Sequence, residues 1–431
     1  MPSSSHSLDR VSVTFDDDHA VADAGLILPA TLTGRLGLEA AADELVSTGY
    51  RPGRKVATVV AGLLVGAECI DDLAVLRAGS TGRVLPTTVM APSTVGTWLR
   101  SLTFGHVRQL DKLTERMLTR AWAAGAGPGD APVTIDVDST ICEVHGYAKQ
   151  GAAYGYTRQR GYHPILATRA DTGEVLHTRM RTGSANTMRG AGRFIRETVG
   201  RVRRAGATGP LTLRADSGFW SHKVMQACGD HDVRYSITVR QTRQVRAAID
   251  GIDEAAWTDI DYTAGGRAQV AETTLGTHQR RLIVRRTRLT GQQAQLWPDW
   301  RHHAFVTDRT ATAVELDADH RHHAVVELAI RDLKHGAGLV HCPSGVFNAN
   351  AGWLVLGALA HNLLRWTTIL GGIAAGPVVA KTVRRRFLAI PGRLTRSARQ
   401  TTLHLPSRWP WRDTFTEALS RLRHVTIPAP C

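Results

Sequence analysis

Apolar and polar positions fall into two regimes along this chain. From Thr33 to about Ala126, apolar residues recur every three or four positions in GRLGLEAAADELV, KVATVVAGLLVGAECIDDLAVLRA and PSTVGTWLRSLT. That period predicts an all-α domain over residues 33–126, with Pro92 and Ser93 as a helix start. From Val133 the runs shorten. VTIDVDS, GYHPILATRAD, GEVLHTRMR, LTLRAD and RYSITV read as strands, with helices in TMRGAGRFIRETVGRVRRAG and SHKVMQACGDH, so an α/β domain is expected.

The segments between and around them are also legible. Residues 1–32 are polar and aperiodic and predict an extended arm, and GAGPGDAP reads as a linker. Residues 241–305 hold strand-like runs such as QVAETTLGTHQRRLIVRRTRL, and a structureless loop of that length is improbable. HRHHAVVELAIRDLKHG predicts one helix, with Val326, Ile330 and Leu333 on its packed stripe and His320, His323, Glu327, Arg331 and Lys334 on another face. The apolar run from Ala351 to Gly376 contains His361, Asn362 and Arg365, which are costly in lipid, so a buried core helix and no membrane partner are expected.

Composition narrows the class. The 431 residues are 43% apolar and 21% charged, as in globular proteins, and carry a formal charge of +15, which points to a polyanion such as nucleic acid. Of 53 basic residues only six are Lys, a bias that suits bidentate phosphate contact and equally a GC-rich genome. Eleven Lys or Arg face only Asp413 and Glu417 between Lys381 and Arg423, so residues 377–431 form a basic C-terminal region that reads as either a phosphate-tracking surface or a solvated face. The five cysteines are scattered without a C-x-x-C pair, and the N-terminus has no apolar core; a cytoplasmic protein is expected.

Candidate chemistry centres on acids. On a strand, Asp136 and Asp138 project to one face, Asp216 ends a second strand, and Glu327 lies off the packed stripe of its helix. Strand-end acids can simply pair with Arg. Two aspartates and a glutamate held rigidly are equally the hard oxygen ligands of a two-magnesium phosphoryl-transfer site. Three strands, helix, strand, helix, strand is the ribonuclease-H-like order, which would bring the ends of its first and fourth strands together beside a later helix.

Several segments together resemble the DDE transposases of bacterial insertion sequences, most like the insertion-sequence 1380 group of the broader insertion-sequence 4-like superfamily. They are DVDSTICEVHG with GYTRQRGYHPILA, LRADSGFW, HHAFVTD, the E-x6-K of Glu327 and Lys334, RRRFLAIPGRL and LHLPSRWPW. The resemblance implies a ribonuclease-H-like core at 133–240 and 306–376, interrupted by a β-rich insertion domain at 241–305. It implies Asp138, Asp216 and Glu327 as catalytic metal ligands for two Mg²⁺ (Mn²⁺ as a substitute), with Asp136 outside them or pairing a cation. Asp138 is preferred because Ser139 and Thr140 follow it. Further implications are binding of terminal inverted repeats and target DNA, cut-and-paste transfer with a hairpin intermediate, and a homodimer associated with the nucleoid. A decayed relative that binds DNA without cutting is the alternative.

DNA contacts are expected from His323, Arg331, Lys334, Arg158, Arg160, Arg285, Arg286, Arg384, Arg385 and Arg386, with Trp297 or Trp300 stacking on a flipped base or packing in a core. The resemblance places Tyr and Arg seven and four residues before the glutamate, where His320 and His323 stand here. DDLAVLRAG and APSTVGTWLRSL have the outline of a helix-turn-helix that would present Ser93, Thr94, Thr97 and Arg100 to a major groove; a plain bundle packing Val95, Trp98, Leu99 and Leu102 explains the same pattern. A transition-metal site at His302/His303 and His320/His322/His323 lacks any zinc-like spacing.

Overall fold

The structure is a computed structural model that describes residues 8–155, 157–262, 266–289 and 300–427. A short strand, β1 (Ala20–Val21), precedes α1 (Ile27–Leu36), α2 (Leu38–Leu45), α3 (Pro52–Val65), α4 (Pro92–Arg100) and α5 (Phe104–Ala121). The sheet region opens with β2 (Val133–Ser139), and β3 (Cys142–Glu143), β4 (Ala153–Tyr154) and β5 (Arg160–Tyr162) form a small side sheet. Next come β6 (Ile165–Arg169), β7 (Val175–Arg179), α6 (Ala191–Arg204), β8 (Leu211–Ala215), α7 (His222–Gly229) and β9 (Val233–Thr238). They are followed by α8 (Arg243–Asp250), β10 (Thr258–Ile260), β11 (Gly266–Leu275), β12 (Arg280–Leu289) and β13 (Arg301–Thr307). The chain continues through α9 (Ala313–Arg321), α10 (Val325–Gly336), α11 (Phe347–Leu370), α12 (Ala380–Val383), β14 (Gly392–Ser397), β15 (Gln400–His404) and α13 (Arg412–Arg423).

Among the described residues, nine strands form one sheet in the order β10-β11-β12-β13-β9-β8-β2-β6-β7. The strand VTIDVDS is interior, parallel to β8 and antiparallel to β6. Val133, Ile135 and Val137 are buried in it, and so is Asp136, a charge that burial obliges the fold to pair. Within the stretch expected as a β-rich insertion lie β10, β11 and β12, and β13 pairs antiparallel with β9 from Phe305–Thr238 to Thr307–Ser236, so these strands extend the same sheet. The antiparallel hairpin of β11 and β12 carries this extension outward over ten registered pairs.

Two further boundaries shift. Residues 24–36 are already helical and bury Leu26, Leu28 and Leu32, while Ala20 pairs with Arg393; the polar arm therefore ends well before residue 32. Nor do the N-terminal helices form a core of their own. They wrap α11, whose side chains from Ala349 to Thr368 are almost all buried, and one apolar cluster runs from Leu26 through Ile135 to Leu422.

The polar residues of α11 show why it is a core helix. His361 Nε2 bonds Gly173 O at 2.8 Å, Asn362 bonds both the N–H and the C=O of Val175, and Arg365 pairs with Asp332 at 2.9 Å. Each satisfies a buried group of β7, its approach or α10, so burial leaves little unpaired. No helix among the described residues is long and apolar enough to cross a membrane. The helix-turn-helix outline is corrected as well, because Asp71–Arg77 forms a tight 3₁₀ segment rather than a first α-helix. The α4 pattern is instead explained by burial of Val95, Trp98 and Leu99.

Candidate active site

The sheet register brings the two strand-end aspartates together. Val137 of β2 pairs in parallel with Ala215 of β8, so Asp138 and Asp216, each one residue further on, leave adjacent strands at the same edge. Glu327 lies in the first turn of α10, which packs against β2, and its side chain is exposed. Burial pushes the Asp138 carboxyl up to about 6, aided by the charges of Asp216 and Glu327 and opposed by the Ser139 N–H, which donates at 2.6 Å, and by His323. Burial also raises Asp216, against the Gly218 N–H at 3.0 Å and the charges of His323, Arg240 and His163. Asp138 thus feels the charges of both Asp216 and Glu327.

Asp136 has a different task. Fully buried, it accepts Arg214 Nε at 2.8 Å and Nη2 at 2.9 Å, a bidentate pair between residues that are direct partners across β2 and β8. His323 Nδ1 adds a third contact at 2.9 Å. Arg214 continues to Asp319, which Arg309 also binds. Asp136 is therefore the anchor of a cation network behind the site. Of the two expectations for Asp136, the contacts are those of an acid pairing a cation.

The single helix expected over residues 320–336 is broken. His320 lies in the last turn of α9, His322–Ala324 forms a 3₁₀ turn, and α10 begins at Val325. His320 contacts Ser236 Oγ and Thr238 Oγ1 at 2.8 and 2.9 Å and stacks on Phe305, and burial pushes it down to about 3. It is a neutral packing residue. Lys334 donates to Ile141 O at 2.8 Å, which fastens α10 to the chain just beyond β2. Two contributors escaped the sequence reading. Arg214 stands two residues before Asp216, so a buried strand Arg needing an acid was the available signal. His163, inside GYHPILA, accepts Ser139 Oγ on Nε2 at 2.9 Å and donates from Nδ1 to Ala185 O, bracing the residue after Asp138.

The model of the transposase DDE domain family, group 1, matches residues 3–427. The chain belongs to this family. It is a DDE-type transposase, an enzyme acting on DNA. No curated protein matches it. Among solved structures, a cryo-EM structure of the piggyBac transposase synaptic complex with hairpin DNA is similar over 85% of this chain and 79% of that one, at 12% identity and a TM-score of 0.47.

For a DDE transposase, the expected DNA-contacting cations divide sharply by exposure. Arg331, Arg158, Arg385 and Arg386 are exposed, Arg386 lying over the Trp411 ring. Arg160 is held by the carbonyls of Gly146 and Tyr147. Three assignments are corrected. Arg285 is half-buried beside Asp317 at 3.5 Å, Arg286 binds Glu254 and Gln269 between the rings of Trp257 and Trp300, and Arg384 bonds the carbonyls of Leu63, Leu64 and Gly336. Burying a guanidinium requires such partners, and these leave it little for phosphate. Trp300 is half-buried against Arg286, and Trp297 lies outside the described residues. His323 is likewise occupied by Asp136 on one nitrogen.

DDE transposase domains generally use divalent metal ions. The oxygen donors of Asp138, Asp216 and Glu327 have the hard chemistry such ions take, and a cation would offset both the burial and the neighbouring acids that raise Asp138. As they stand, no three His, Cys, Asp or Glu side chains among the described residues are grouped closely enough to hold a metal.

Proposed function

We propose that this transposase serves a bacterial insertion sequence of the 1380 type. It binds the terminal inverted repeats as a homodimer, hydrolyses a phosphodiester at each end and joins the freed 3′-OH to target DNA. The five inner strands support a ribonuclease-H-like core: β2, β6 and β7 meander antiparallel, and β8 and β9 return parallel to β2.

Asp138, Asp216 and Glu327 would hold two Mg²⁺, and these, when bound, supply activation of the attacking oxygen and neutralisation of the leaving one. Asp138 is held rigidly because it is still paired with Leu166 of β6, Asp216 because it follows directly on the last paired residue of β8, and Glu327 completes the set from a helix. Arg214 and His323 hold Asp136 as a compensated charge, which keeps positive charge behind the aspartates. The observation that carries the reading is the Val137–Ala215 register.

The test is metal-dependent nicking of DNA bearing the inverted repeats that flank the gene. Wild type should cut, and Asp138→Asn, Asp216→Asn and Glu327→Gln should bind the ends without cutting. Cleavage by any one variant removes that residue from the site, and binding without cleavage by wild type replaces the enzyme reading with a DNA-binding one.

A further inference from the structure

An open cleft of about 450 Å³ lies beside α4, bordered by Lys55, Ser93, Thr94, Thr97, Trp98 and Ser101. Lys55, in the first turn of α3, is only 6% exposed, and burial pushes its ammonium down. Its Nζ donates to Tyr50 O at 2.8 Å and pairs with no carboxylate among the described residues. Nearby acids are otherwise engaged, Glu39 by Arg54 and Asp43 by the Gly53 N–H. Trp98 is 3% exposed, and its indole N–H has no hydrogen-bond partner. A Cβ placed on Gly49 would fall 2.8 Å from Lys55 Nζ and 3.6 Å from Trp98 Cδ1, so the ammonium and the indole ring border one space.

These features demand an anion. A covered ammonium without a counter-charge and an orphan indole N–H are each unfavourable unless something arrives to accept from them. No side chain caps α4, whose positive end begins at Pro92 with the exposed Ser93 and Thr94 beside it. Hydroxyls at Ser93, Thr94 and Thr97 add donors, Ser101 Oγ being spent on Trp98 O at 2.8 Å, and no acid lines the cleft. An oxyanion with several acceptor oxygens suits this set. Arg100 is exposed on the following turn of the same helix, which extends the positive surface beyond the cleft.

We propose that the cleft seats one backbone phosphate of bound DNA, so that α4 positions the duplex through its phosphates. The assignment rests on the reading of the chain as a transposase that binds DNA ends. It makes Lys55 a cation maintained for binding at some expense of stability.

The experiment measures end-DNA binding from 50 to 200 mM salt for wild type, Lys55→Met and Trp98→Phe, with thermal melting of each and melting in inorganic phosphate. Lys55→Met should lower the salt slope by about one unit while raising Tm, because one phosphate contact is lost and one uncompensated charge removed. Trp98→Phe should weaken binding by roughly ten-fold with the slope unchanged, since it deletes a neutral donor to a charged group. Phosphate should raise the wild-type Tm and leave that of Lys55→Met unmoved. An unchanged slope in Lys55→Met overturns the site alone, as does a lowered Tm with unaltered binding. Phosphate protection without any effect on DNA binding assigns the cleft to a free anion and overturns the DNA contact. A wild type that binds no DNA overturns the proposed function together with this site.

Discussion

His323 Nδ1 stands 2.9 Å from Asp136 Oδ1, the oxygen that also accepts Arg214 Nε at 2.8 Å. A carboxylate only accepts, so the imidazole carries its proton on Nδ1 and is oriented by the acid behind it. Two aspartates on one strand, two residues apart, therefore have opposite characters. Asp136 is compensated on every side, and Asp138 is crowded by other acids.

Their Asn variants should separate accordingly. Asp136→Asn leaves Arg214 buried without its charge partner and should cost roughly 3–5 kcal/mol of stability in urea denaturation. Asp138→Asn should stabilise at pH 7 by roughly 1–3 kcal/mol while abolishing cleavage, because its folded-state pKa of about 6 lies above 3.8. The sign follows: the charged form is disfavoured by folding, so the gain is full above about pH 6 and vanishes below about pH 4. A destabilised Asp138→Asn at pH 7 would contradict the crowding.

Divalent ions should act on the same charge. Mg²⁺ is expected to raise the wild-type Tm at pH 7 and to leave Asp138→Asn and Asp216→Asn nearly unmoved, read by calorimetry without DNA. Equal shifts in all three proteins would place the bound ion elsewhere.

The basic C-terminal region should divide within three consecutive residues. Replacing exposed Arg385 and Arg386 by Ala should lower the salt slope of DNA binding by about one unit per lost phosphate contact. Arg384→Ala should leave the slope alone and cost roughly 1–3 kcal/mol, because it frees the carbonyls of Leu63, Leu64 and Gly336. A slope change in Arg384→Ala would return that residue to the DNA surface.

Acid should destabilise the fold through its buried histidines, which outnumber the opposing Asp138 between about pH 4 and 6.5. Burial holds His177 and His361 down to about 4 and His320 to about 3, so the unfolded chain takes up protons below about pH 6.5 that the folded chain refuses. Stability should therefore rise with pH between about 4 and 6.5, by about 1.4 kcal/mol per pH unit for each histidine. His320→Gln should flatten the profile by one histidine, and superimposable profiles would show that it is not buried neutral.

The elements were legible in sequence because strand and helix periods were clean: β2, β8 and α6 stand where VTIDVDS, LTLRA and GRFIRETVGRVRR placed them. Convergence of Asp138 and Asp216 was implied by strand order. What pattern could not reveal was pairing. Arg286 looks like a phosphate grip in RRLIVRRTRL, yet Glu254 and two indole rings claim it across the fold. Likewise β13 joins β9 through only three registered pairs, too local a signal to distinguish an extended sheet from a separate domain. His323 was read as a helix-face residue aimed at DNA, and the 3₁₀ turn that redirects it has no sequence marker.

The seam between β13 and β9 has an evolutionary implication. Strands added antiparallel at the far edge of a sheet can be lengthened, replaced or lost without re-registering β2 and β8, whose pairing fixes the aspartates. His320, bonded to Ser236 and Thr238 of β9, buttresses that seam from α9. Lineages descended from such an ancestor could thus diverge in how they embrace DNA while their cutting chemistry stayed frozen, with the outer hairpins free to vary and the inner strands not.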